Sequence, residues 1–74
     1  MTDHDQRSAH IERTIKRCAL EVHPSGELRY LAKEMGVTTK VFRRWWTNGR
    51  VPKVKADWLE MRFPSIVTAS TLTG

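Results

Sequence analysis

Residues 28–52, LRYLAKEMGVTTKVFRRWWTNGRVP, restrict the fold more than any other part of the chain. Leu28, Leu31, Ala32 and Met35 recur at spacings of three and four, which gives a helix one apolar face. Gly36 follows at once, where a helix C-terminus favours a residue that accepts positive φ. Val37 is then placed to plug the turn. Thr38 is placed to cap a second helix through its hydroxyl oxygen. Val41, Phe42, Trp45 and Trp46 give that helix, about 39–48, a broad apolar side. Asn48 and Gly49 end it, and Pro52 bars simple continuation.

Leu31-Ala32, Gly36-Val37-Thr38, and Trp45 with the run Asn48-Gly49-Arg50-Val51-Pro52 resemble the helix-turn-helix of small phage and prophage repressors of the Cro type. The resemblance covers roughly residues 28–60. It implies a phage or prophage source and a second motif helix that lies in the major groove of DNA. Two features depart from the family pattern. The Trp45-Trp46 pair is bulkier than such helices usually carry, and no Cro-like β-hairpin is evident after Arg62.

A chain of 74 residues holds one small domain with a thin core. Its single cysteine, Cys18, excludes an intramolecular disulfide and suits a reducing cytoplasm, the expected location. No apolar run approaches the length of a membrane span, and the N-terminus is unlike a signal peptide, so no membrane partner is expected. The chain also lacks the parts of an active site. No carboxylate pair sits beside a histidine, no nucleophile–base set occurs, and there is no Gly-rich phosphate loop, all of which argue against an enzyme. One cysteine and three scattered histidines give no zinc-finger spacing, so neither a metal nor another cofactor is expected.

The net charge is +5, and its placement matters more than its size. Through residue 35, acidic and basic side chains cancel. Between Met35 and Ala56 lie Lys40, Arg43, Arg44, Arg50, Lys53 and Lys55, with no acidic residue. A one-sign stretch that coincides with the second motif helix and the loop after it is an electrostatic footprint for a polyanion.

Taken in order, the pattern predicts an all-α, four-helix domain containing a helix-turn-helix, with short flexible termini. Residues 1–5 form the flexible N-terminus, 6–64 the helical domain and 65–74 a flexible C-terminal tail. The first helix starts near Gln6 and carries the stripe Ile11, Ile15, Cys18, Ala19 and Val22, on which Cys18 is a buried small hydrophobe. Residues 23–26, His-Pro-Ser-Gly, close it. Ser25 is placed to cap the next helix, with Glu27 in that helix's first turn. The last helix spans about 52–62 and has two apolar rows, Ala56/Leu59/Phe63 and Val54/Trp58/Met61. These are rotated too far apart to share one thin core easily. The second row reads equally as part of a wide buried stripe or as a protein-binding patch anchored by Trp58.

Thr39, Lys40, Arg43 and Arg44 fall in the first two turns of the second motif helix, on the side away from Phe42 and Trp46, and are the candidates for base contacts in double-stranded DNA. Arg50, Lys53 and Lys55 are candidates for phosphate contacts. Val54, Trp58 and Met61 are candidates for a protein interface. One such domain offers little contact for tight operator binding, so a homodimer on two half-sites is expected. The alternative is a phage-encoded regulator that binds host RNA polymerase through the Trp58 row and alters initiation or termination.

Overall fold

The computed structural model describes residues 3–73, all in helices and connecting turns. The flexibility expected of Met1, Thr2 and Gly74 lies outside the described residues. Helix α1 spans Asp3–Val22, α2 Leu28–Met35, α3 Thr39–Asn48, α4 Lys53–Arg62 and α5 Ala69–Thr73. No strand occurs among the described residues.

Helix α1 starts three residues earlier than expected, with Asp3 and Asp5 in its first turn, where negative charge suits the helix dipole. Ile11, Ile15, Cys18 and Ala19 are buried as their spacing requires, and Val22 is half-buried. Thr14 is buried with them. Its hydroxyl donates to the His10 carbonyl one turn back (2.8 Å), so no polar atom is left unsatisfied. This long helix packs across both α2 and α3.

The turn between α1 and α2 is held by the His23 ring. Its Nδ1 accepts from the Ser25 amide at 3.1 Å, and the ring stacks on Tyr30 with centroids 4.0 Å apart. The N-cap of α2 is Glu27 rather than Ser25; the serine instead receives the Glu27 amide on its hydroxyl oxygen (3.3 Å). Leu31, Ala32 and Met35 are buried and Leu28 half-buried. Gly36 ends α2 at φ 72° with its amide on the Ala32 and Lys33 carbonyls. Thr38 holds the N-cap position of α3 with extended backbone, but its side chain makes no capping bond, and Val37 is only half-buried.

Helix α4 resolves the two apolar rows. Ala56, Leu59 and Phe63 are buried, whereas Val54 is 76 % and Met61 84 % exposed. Trp58 lies between, half-buried, its ring edge-on to Phe63.

The C-terminal stretch departs from expectation. The described residues form five helices, not four, and the described part of 65–74 is packed rather than a loose tail. The Phe63 carbonyl accepts from the Ile66 and Val67 amides, turning the chain back on α4. A Glu60 carboxylate oxygen accepts from the Ala69 amide (2.7 Å) and caps α5 from a neighbouring helix. Val67 and Leu72 are buried in the common core, and the Val51 amide donates to the Leu72 carbonyl at 2.8 Å. The radius of gyration, 11.2 Å, is that of a close-packed chain of this length. No described helix is long and apolar enough to cross a membrane.

Candidate functional site

Helix α3 carries the densest uncompensated charge. Its inner side is built by Phe42 and Trp45, both buried and edge-on to each other with centroids 5.5 Å apart. These two rings fix the rotation of the helix, and the rotation turns Thr39, Lys40, Arg43, Arg44 and Thr47 outward, all of them exposed. The far end is pinned by α1. The His4 Nε2–H donates to the Thr47 carbonyl (2.9 Å), and the Arg7 Nε–H donates to the Gly49 carbonyl (3.1 Å). Two basic side chains thus meet the negative end of the α3 dipole and orphan carbonyls at its exit. Gly49 itself sits at φ 81°, with the His4 ring so close that an added Cβ would lie 2.9 Å from Nδ1.

Among the described residues, the side chains of Lys40, Arg43, Arg44 and Arg50 have no acidic partner and no hydrogen bond. Other cations are engaged. Lys16 is paired with Glu12 at 2.7 Å, Arg29 with Glu27 at 3.2 Å and Arg62 with Glu34 at 3.5 Å. Two of the phosphate-contact candidates are engaged as well. Lys53 bonds Asp57 at 2.8 Å, which raises its pKa above the usual lysine value. Lys55 is half-buried and its ammonium points to the Met35 carbonyl (3.4 Å), at the C-terminal end of α2. Arg13, Arg17 and Lys33 likewise form no ion pair among the described residues, but they lie on α1 and α2 among acidic neighbours.

The outward face of α3 stands between two depressions. One, of about 480 Å³, is lined by Arg44, Trp45, Asn48 and the loop and helix start that carry Arg50 and Lys53, with Thr73 of α5 at its edge. The other, of about 350 Å³, is lined by Leu28, Thr39, Lys40, Arg43 and Trp46. The base-contact candidates therefore divide: Thr39, Lys40 and Arg43 border one depression, and Arg44 joins Arg50 and Lys53 on the other. Val54 and Met61 are exposed on α4, with Trp58 half-buried beside them.

Trp46 does not lie away from Thr39 and Arg43, as its apolar character suggested. It follows Arg43 by three residues and Thr39 by seven, so all three share one side of the helix. The anchoring roles of His4 and Arg7 were also missed. They join residues more than forty positions apart, and no local pattern signals such a contact.

Cys18 offers no nucleophile at this face. Burial, reinforced by Glu21, pushes the Cys18 thiol up to about 12, and the side chain faces the core. What the site can do is hold an anion along a rigid helix. Comparison with known proteins returns nothing: no family profile, no curated protein and no solved structure matches this chain.

Proposed function

We propose that this chain is a small helix-turn-helix transcription regulator of the phage or prophage kind, in which α2 and α3 form the motif and α3 reads double-stranded DNA. The observation that carries this reading is the set of four unpaired cations, Lys40, Arg43, Arg44 and Arg50, on one helix and the loop that leaves it. A rod of this kind fits a major groove: the rod enters, and the flank that carries Arg50 receives a sugar–phosphate strand. Arg43 and Arg44 are the residues for bidentate contact with guanine O6 and N7, worth about 1–3 kcal/mol of discrimination each. Arg50 is the phosphate contact, and Lys53 beside it stays on Asp57. Binding as a homodimer to two half-sites supplies the area a single domain lacks.

Selection from random duplex DNA tests the proposal. Enrichment of a defined motif that changes with Arg43→Ala or Arg44→Ala is the expected result. A pool that stays random would defeat it.

The exposed Val54 and Met61 favour a second reading, in which α4 grips a protein such as host RNA polymerase. That reading expects polymerase capture that Met61→Ser abolishes, with no enriched DNA.

A further inference from the structure

The depression bordered by Leu28, Thr39, Lys40, Arg43 and Trp46 contains more than phosphate binding requires. Phosphate oxygens call for cations and N–H donors. Here an indole and a leucine side chain, each half-buried, wall the same space as two cations. Exposed apolar surface beside charge is unfavourable in water and becomes favourable only when something apolar covers it. The indole is held in place: it packs against the core, and Lys16 Nζ lies 6.0 Å from its ring centroid. Leu28, at the start of α2, lines the same space. Along α3 the groove therefore offers, in order, a hydroxyl at Thr39, a guanidinium at Arg43 and an indole at Trp46.

A nucleobase edge that presents a polar acceptor next to an apolar group matches that order. In the major groove only one unmodified base does so. Thymine shows O4 beside its 5-methyl group, and the edges of adenine, guanine and cytosine carry no methyl. A space of about 350 Å³ admits the edge of a base and is not filled by a methyl group alone. We infer that this groove reads the 5-methyl group of a thymine, seated against Leu28 and Trp46 beside the base that Arg43 engages. The inference rests on the DNA-binding reading and adds to it a determinant outside the charged face. Burial of one methyl group is worth about fourfold in affinity.

The test uses the full chain and the duplex motif it selects. Each thymine of that motif is replaced in turn by uracil, which removes the 5-methyl group and changes nothing else on the groove edge. Affinity is expected to fall about fourfold at one thymine per half-site. Leu28→Ala should abolish the thymine preference at that position while leaving the preference for guanine elsewhere in the motif. Because Leu28 is only half-buried, the fold should survive, as circular dichroism will report, and the uracil series on the unaltered protein stands without any variant. A selected motif in which no uracil replacement weakens binding would overturn the inference and leave the DNA-binding reading in place. A thymine preference untouched by both Leu28→Ala and Trp46→Leu would also overturn it, because the methyl group would then be read elsewhere. A pool that yields no motif would overturn both.

Discussion

Cys18 shows how a single buried atom couples this small core to pH. Its ordinary value is 9.0, and burial raises the folded value to about 12. Below pH 9 both the folded and unfolded chains hold the thiol proton, and the contribution is constant. Between about 9 and 12 only the unfolded chain releases it, so stability falls as pH rises through that window. The urea midpoint of the native chain is expected to drop more steeply above pH 9 than that of Cys18→Ala; equal slopes would refute the linkage. Gly36 makes a second case. At φ 72°, with open space where a Cβ would stand, Gly36→Ala meets backbone strain alone, and the expected loss is about 1–2 kcal/mol by denaturant titration. That glycine was legible in the sequence because a helix stop leaves a local signature. The direction of Arg43 and Arg44 was legible too, since the helical period puts them opposite Phe42 and Trp45. Lys55 was not: only folding brings its ammonium to the Met35 carbonyl, and six cations in a row look alike until their partners are known.

At the scale of the element, α4 and α5 account for each other. A helix with apolar residues on opposite sides has no single inner face, so periodicity alone leaves α4 without a rotation. What sets it is the packing of Ala56, Leu59 and Phe63 into the core, with the turn after α4 adding Val67 and α5 adding Ala69 and Leu72. Five residues make too short a helix to reveal a period or to persist alone, which is why α5 read as a tail. Its order comes from tertiary partners: the Glu60 cap, the bond from Val51 to the Leu72 carbonyl, and the His10 Nε2–H on the Thr71 hydroxyl at 3.1 Å. Leu72→Ala is accordingly expected to cost about 2–5 kcal/mol, read from the urea midpoint, as for other fully buried leucines. A loss below about 0.5 kcal/mol, typical of surface positions, would mean that α5 does not belong to the core. Met61→Ser, on the exposed row, is expected to stay within that same surface range.

At the scale of the whole molecule, the balance between paired and unpaired cations matters more than the net charge. Acidic partners compensate Lys16, Arg29, Lys53 and Arg62, which leaves Lys40, Arg43, Arg44 and Arg50 to set the field around α3. On DNA, each phosphate neutralised releases counterion, so log affinity falls with log salt by about 0.9 for each phosphate contact. With all four residues on phosphates the slope approaches about −3.6 per protomer, and each that reads a base instead removes about 0.9. Arg50→Ala is therefore expected to flatten the slope by about 0.9 and keep the selected motif, because a phosphate contact carries no sequence information. Asp57→Asn acts in the other direction: it releases Lys53 beside Arg50 and steepens the slope by about 0.9. The two changes lie on different elements and one removes a cation while the other removes an anion, so opposite shifts in slope at constant motif would trace the phosphate path along the 480 Å³ depression. Identical slopes in all three proteins would place the strand elsewhere and remove the loop from the interface.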